Sequence, residues 1–129
     1  MYCTRADIEM IFGAHNVAVW ADLNSTGNPA EIDARIAHAI QLAEAEVNSI
    51  LANSMYQVPI ASQAETTPIL IREVTATLAG VYLFEGRGIK EVSITQDGLP
   101  IHPYSMKRLW ALQVLQDLQA GRRRLPELV

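Results

Sequence analysis

The chain has 129 residues, of which 50% are hydrophobic and 19% are charged, and its formal net charge is −4. This length fits one domain, and the apolar content is enough for a packed core, which excludes a wholly disordered chain. The charge is uneven: residues 1–100 hold 5 basic and 12 acidic side chains (−7), and residues 101–129 hold 5 basic and 2 acidic ones (+3). An acidic protein is a poor free-standing DNA binder, because phosphate neutralisation supplies most non-specific affinity.

Membrane and redox functions find little support in the sequence. No apolar run approaches the ~20 residues that a bilayer span needs. The N-terminal residues lack the basic-then-apolar order of a signal peptide, so we expect a protein made in a cytoplasm with no membrane partner. Cys3 is the only cysteine, which excludes an intrachain disulfide and a CxxC metal or redox pair.

Capping residues and hydrophobic spacing predict the helices of the first half. Thr4 and Asp7 form a variant of the capping box, and Gly13 ends the short helix that they start. A second short turn of unassigned type follows at about 16–21. Asn28 and Pro29 then begin the most clearly marked element, an amphipathic helix over about 29–53. Its inward-facing residues are predicted to be Ile32, Ile36, Ile40, Ala43, Val47 and Ile50 or Leu51.

Two more helices are predicted in the second half. One starts with Pro68 at its first position and runs to about Phe84, and the last runs from about Ser105 to Ala120. The apolar residues of the last helix are expected to face the core; they are Leu109, Leu112, Leu115 and Leu118, widened by Trp110 and Val114. Between these helices, residues 89–103 have the turn signal Gln96-Asp97-Gly98 among apolar residues, which indicates a small β-hairpin or an extended arm.

These elements predict an all-α fold. It is a small helical bundle of three main helices plus a short N-terminal helix. We expect residues 1–121 to form the helical domain and residues 122–129 to form a basic C-terminal tail.

A calcium site is one candidate for chemistry. Asp22, Asn24, Thr26, Gly27 and Asp33 fall at positions 1, 3, 5, 6 and 12 of an EF-hand-like loop. The last position usually holds a bidentate glutamate, and a proline interrupts this loop. A capped turn rich in Asx residues is therefore the favoured interpretation, and no metal or other cofactor is expected.

Catalytic constellations are not evident in the sequence. The three histidines, His15, His38 and His102, are far apart and lack ligand spacing, and we expect His38 at the surface and His102 in a loop. No phosphate-binding glycine loop, GxSxG or HExxH motif occurs. We therefore expect a non-enzymatic protein. For Arg122 to Arg124 we favour protein docking, ahead of complementing a helix dipole and of nucleic-acid contact.

Short motifs along nearly the whole chain suggest a family. They are Met1-Tyr2-x-Thr4-x-x-Asp7 with Phe12-Gly13, the loop 22–27, the stretch Ala45 to Ala52 with Tyr56 and Pro59-Ile60, residues 68–84, and residues 121–126. Together they resemble the neck (head–tail connector) proteins of Mu-like phages. The chain departs from that family at Asn48 and Ile50, where aspartate and tyrosine are common, and in the length of residues 89–103.

The resemblance implies a structural head–tail connector (adaptor) of the virion neck, assembled in the host cytoplasm. Its implied partners are the portal protein and stopper or tail proteins. In the virion its subunits would form a homo-oligomeric ring, whereas in solution they would remain monomeric until the portal offers a template. The residues expected to contact partners are Arg122, Arg123, Arg124 and Leu125 in the tail and Ile94, Leu99 and Ile101 in the arm. No sequence-specific nucleic-acid binding is expected; the alternative is a small DNA-binding regulator that uses the last helix and the arginines.

Overall fold

The computed structural model describes residues 1–60, 67–87, 93–94 and 100–128. Within them lie five α-helices and one pair of two-residue strands, so the predicted all-α fold is confirmed. The helices are α1 (Arg5–Phe12), α2 (Ala14–Ala21), α3 (Pro29–Leu51), α4 (Ile69–Gly86) and α5 (Ser105–Ala120), and a 3-10 turn follows at Pro126–Leu128.

Helix α4 is the centre of the fold. It packs against each of the other four helices, and most of its residues from Ile71 to Leu83 are buried, including the small residues Ala76, Ala79 and Gly80. A helix that is apolar on all sides must be enclosed by other elements. The sequence placed Pro68 at the first helical position, whereas Pro68 is the N-cap and the helix begins at Ile69.

Helix α3 forms as its sequence predicts. The Asn28 side chain accepts a hydrogen bond from the Ala30 backbone N–H at 3.0 Å, and Pro29 occupies the first turn. Such caps satisfy backbone donors that have no partner inside the helix. The buried face consists of Ile36, Ala39, Ile40, Ala43, Val47 and Leu51, and this face packs on α4.

Helices α1 and α2 form a tight corner beside α4. The Asp7 carboxylate accepts hydrogen bonds from the Thr4 backbone N–H (2.8 Å) and hydroxyl (3.1 Å), which confirms the cap. Gly13 has φ +92°, a conformation that favours glycine, and it separates the two helices. The second turn, of unassigned type in the sequence, is the helix α2.

An arginine at the end of α4 holds the end of α2. The Arg87 guanidinium donates hydrogen bonds to the carbonyl oxygens of Val19 and of Asp22, the latter at 2.8 Å. The last carbonyls of a helix lack partners within it. Residues 85–88 suggested only a helix end, so this tertiary role was not predicted.

Helix α5 turns a different face to the core from the one expected. Its bounds match the prediction, but its buried residues are Ala111, Val114, Leu115 and Leu118. Leu109 and Trp110 are exposed, and the prediction that they face the core is wrong. Apolar residues cover so much of the helix circumference that periodicity alone did not select the buried side.

The segment between α4 and α5 contains a short antiparallel pairing. Strand β1 (Ser93–Ile94) pairs with β2 (Pro100–Ile101), with Ser93 opposite Ile101 and Ile94 opposite Pro100. Of the two predicted alternatives for residues 89–103, this pairing is that of a hairpin. The turn signal Gln96-Asp97-Gly98 lies outside the described residues.

Gly80 provides a test of the packing between α1 and α4. A Cβ at this position would lie 2.0 Å from Cε2 of Phe12, whose ring also makes edge contacts with Trp20 and Tyr104. Helix propensity alone would favour alanine by ~1 kcal/mol. We expect Gly80→Ala instead to lower the free energy of unfolding by about 1–3 kcal/mol, the usual range for overpacking.

Gly86→Ala is the matched control in a urea titration. Gly86 also lies in α4, but a Cβ there meets nothing within 4 Å, so the substitution should be neutral or slightly stabilising. Equal stability of the Gly80→Ala variant and the unmodified protein would contradict the described contact.

Candidate partner-binding surfaces

The predicted basic tail begins as the cap of helix α5. Gly121 adopts a left-handed conformation (φ 79°), and the backbone N–H groups of Arg122 and Arg123 donate to the Asp117 carbonyl at 2.8 and 3.2 Å. Their side chains reach the Asp117 carboxylate, with Nε–O distances of 2.9 Å for Arg122 and 3.7 Å for Arg123. The hydrogen bond from Arg122 lowers the pKa of Asp117. Arg124 is exposed and has no ion pair within the described residues.

Leu125 does not belong to an exposed tail. Its side chain is fully buried in the core, and its backbone N–H donates to the Tyr56 hydroxyl at 2.7 Å. Two residues later, the Glu127 carboxylate accepts a hydrogen bond from the Ile69 N–H at 3.0 Å. The predicted domain boundary after residue 121 therefore does not match a break in packing. Leu125 is a core residue, so it cannot make the partner contact that the sequence predicted for it. The three arginines before it had suggested an exposed segment.

The arm residues are only partly located. Ile94 and Ile101 lie on the paired strands β1 and β2, close in the backbone register. Their side chains and the whole of Leu99 lie outside the described part of the structure. Their predicted role in binding a partner therefore stays a prediction.

A groove between helices α4 and α5 is a surface that sequence reasoning missed. One part is lined by Ile11, Glu73, Thr77, Met106, Lys107 and Trp110. The other part is lined by Ile69, Leu70, Glu73, Trp110, Pro126 and Glu127. Since the two parts share Glu73 and Trp110, we treat them as one surface, the α4–α5 groove. The sequence signal for this groove was that α5 has more apolar residues than one buried face can accommodate.

A polar cluster at the end of α4 fixes the chain that enters α5. His102 is buried, although the sequence suggested only a loop residue. Its Nδ1 accepts from the Tyr104 N–H at 3.1 Å, and its Nε2 lies 3.0 Å from the Glu85 carboxylate. A neutral ring therefore has its proton on Nε2. Glu85 also binds Arg108 of α5, so these groups are fully engaged with one another.

The Asp22 loop is organised by its own hydrogen bonds. The two Asp22 carboxylate oxygens accept from the backbone N–H groups of Thr26 and Gly27 at 3.1 and 3.0 Å. Asp33 pairs with Arg5 at 2.9 Å. This is the geometry of the capped turn that the sequence favoured over a calcium loop. Across the described residues, no group of three or more His, Cys, Asp or Glu side chains could hold a metal ion.

The N-terminal residues are also engaged in the core. The Tyr2 hydroxyl accepts from the Ile60 N–H at 2.7 Å and donates to Oδ1 of Asn48 at 2.5 Å. Burial raises the pKa of the Tyr2 phenol, which keeps its proton available for donation. Burial, together with the negative charges of Asp7 and Glu44, raises the pKa of the Cys3 thiol to about 12.

These features define a small all-α protein with a largely apolar surface groove between helices α4 and α5. No helix in that part of the chain is both long and apolar enough to cross a bilayer. Residues 2–127 match the family model described as Bacteriophage Mu, Gp36, and the chain therefore belongs to this phage protein family. The resemblance to Mu-like phage proteins is thus confirmed. Comparisons with curated proteins and with solved structures found no match.

Burial of Leu125 predicts a large effect of its truncation. Leu125→Ala should lower the free energy of unfolding by about 2–4 kcal/mol, since it leaves a cavity in the core. Leu42→Ala removes the same atoms from α3, where the side chain is 46% exposed, and should change it by less than ~0.5 kcal/mol. Chemical denaturation of both variants measures the difference. A negligible effect of Leu125→Ala would instead indicate that Leu125 lies in an exposed tail.

The raised pKa of Cys3 predicts a thiol that reacts slowly while the protein is folded. An unfolded cysteine has a pKa of ~8.5, so at pH 8 the folded protein should hold on the order of 10³-fold less thiolate. We expect a disulfide reagent such as DTNB to label Cys3 that much more slowly without guanidinium than with it. Similar rates in both conditions would show that the thiol is accessible.

Proposed function

We propose that this protein is a structural component of the virion neck, a head–tail connector (adaptor) that joins the portal to stopper or tail proteins and has no enzymatic activity. Family membership over residues 2–127 supports the phage context. The observation that supports the connector role is the α4–α5 groove, an apolar surface open to a partner on an otherwise well-packed fold. Exposed contiguous apolar surface is typical of proteins that bind other proteins.

In this proposal the protein forms a homo-oligomeric ring in the neck, after assembly in the host cytoplasm. A ring sums many weak contacts into a stable attachment. The groove and the basic segment, Arg122 to Arg124, provide two chemically different contact areas. A bridging protein needs at least two such areas, because it must hold its neighbours and the next component of the neck.

Within the basic segment, Arg124 is the residue best suited to meet an acidic portal surface. Asp117 engages Arg122 and Arg123, which reduces their availability, whereas Arg124 is exposed. The buried neighbour Leu125 fixes the position of Arg124 on the surface. Ile94, Leu99 and Ile101 complete the proposed contacts, on a neighbouring subunit.

A DNA-binding regulator is the second candidate, and the charge distribution disfavours it. Non-specific DNA affinity rises with the number of phosphates that basic groups neutralise. Asp117 already compensates part of the only arginine cluster, and the chain as a whole is at −4.

Reversal of one charge tests the proposal. Arg124→Glu should weaken binding to the purified portal protein of the same phage by about tenfold, mainly through slower association, as is usual for charges at the edge of an interface. Surface plasmon resonance at two salt concentrations measures this. Arg35→Glu makes the same charge change on the exposed side of α3, where Arg35 has no ion pair among the described residues, and should bind like the unmodified protein.

Two outcomes would count against the proposal. The first is no binding of the unmodified protein to portal rings, either in solution or by electron microscopy of the mixture. The second is salt-dependent binding of the isolated protein to duplex DNA that Arg124→Glu abolishes, which would favour the regulator.

A further inference from the structure

The exposed face of helix α5 has an unusual concentration of apolar side chains. Met106, Leu109 and Trp110 are 72%, 57% and 43% exposed, and Ile69 across the groove is 62% exposed. Met106, Leu109 and Trp110 fall at i, i+3 and i+4, so they form one ridge along the helix; we call it the α5 ridge. Among the described helices, no other has three large exposed apolar residues at this spacing.

Among the described residues, the same surface contains one acid, Glu73, and one base, Lys107, without ion-pair partners; its second acid, Glu127, accepts the hydrogen bond from the Ile69 N–H. Glu73 of α4 and Lys107 of α5 both line the α4–α5 groove. Neither makes a salt bridge within the described residues, although the Lys107 ammonium lies 5.8 Å from the centre of the Phe12 ring. A partner that fits the groove therefore needs apolar residues at helical spacing, together with a base for Glu73 and an acid for Lys107.

A second copy of this chain meets this description. Its α5 ridge supplies the apolar residues, its Lys107 supplies the base, and its Glu73 on α4 supplies the acid. A surface that contains both members of a complementary pair can bind its own copy around a two-fold axis, since residue i then contacts j and j contacts i. A second copy of this chain is thus the occupant that the charges and the apolar pattern favour.

The exposed apolar area is of the size that such a contact requires. If a fully exposed tryptophan presents roughly 200 Å² and Met, Leu and Ile are taken as about as large, the ridge and Ile69 together expose roughly 470 Å². A standard interface buries ~800 Å² on each partner, of which about 56–65% is apolar. That corresponds to roughly 450–520 Å², so the four side chains match the apolar part of one face.

We infer that the protein forms a two-fold symmetric dimer in solution, in which the α5 ridge of each copy lies in the α4–α5 groove of the other. Trp110 lies near the centre, and Lys107 of each copy faces Glu73 of the other. This replaces the expectation of a monomer in solution that the family resemblance implied. The inference concerns the isolated chain and does not depend on the proposed function in the neck. Because the groove cannot hold a second copy and a neck partner at the same time, the dimer would have to dissociate before the groove takes part in the proposed neck contacts.

Sedimentation equilibrium of the unmodified protein and its variants tests the inference. The unmodified protein should be dimeric at tens of micromolar. Trp110→Ala should weaken the dimer at least about tenfold, because buried tryptophans at interface centres dominate binding and the symmetry removes two of them. Leu42→Ala is the control, since Leu42 is 46% exposed on α3, away from the ridge; its dimer should be unchanged.

A charge swap tests the two-fold arrangement itself. Glu73→Lys and Lys107→Glu should each weaken the dimer, because each places like charges opposite one another. The double variant should restore it, since both pairs are then reversed. Circular dichroism verifies that each variant is folded.

Three results would overturn the inference. They are a monomer at every concentration up to ~200 µM, a dimer that Trp110→Ala leaves unchanged, and a failure of the charge swap to restore dimers in folded protein. Besides these three, a fourth result, assembly into species larger than a dimer, would exclude a closed two-fold contact. Portal binding by a strictly monomeric protein would leave the proposed function intact and reject only this dimer.

Discussion

Helix α4 is buried over most of its length from Ile71 to Leu83, and the other four helices are packed around it. This packing brings the surrounding helices close to the α4 backbone. At Gly80, the Phe12 ring of α1 occupies the space that a Cβ atom would need. Because α3 and α5 each turn only one face toward the core, their other faces remain at the surface. The exposed ridge of α5 is therefore a consequence of how the centre is packed, and it is where we propose that a second copy binds.

The family motifs are understood best as contacts that hold distant parts of the chain together. Two tyrosine hydroxyls show this clearly. Tyr2 joins the N-terminal residues to Asn48 and to the Ile60 backbone, and Tyr56 holds the backbone at Leu125. Each phenol accepts from a buried backbone N–H that would otherwise lack a partner, and an unpaired buried donor is costly. Motifs that look loose along the sequence are thus close together in the fold.

Local signals predicted most of the helices, because caps and periodicity act over a few residues. Asn28 with Pro29, and Gly121 after α5, show how well such signals worked. Three features depended on tertiary packing and could not be read in this way: the exposure of Trp110, the burial of Leu125 and the burial of His102. Trp110 and Leu125 are each ambiguous alone, since a wide apolar helix has two possible inner faces and an arginine run suggests solvent. The same distinction applies to the proposed partner contacts. Arg124 could be identified from the sequence, whereas the groove could be identified only once α4 and α5 were placed side by side.

The anchoring of Leu125 changes how the neighbouring arginines would engage a partner. A disordered basic extension loses conformational entropy when it settles on a surface, at a cost that grows with each residue ordered. Here the cap at Gly121 and the core contact at Leu125 enclose Arg122 to Arg124 in a short, already ordered stretch. Most of that ordering is complete before any encounter, so association is limited by orientation rather than by folding of a tail. Such preorganisation favours selective recognition of one acidic geometry over adaptable capture of many.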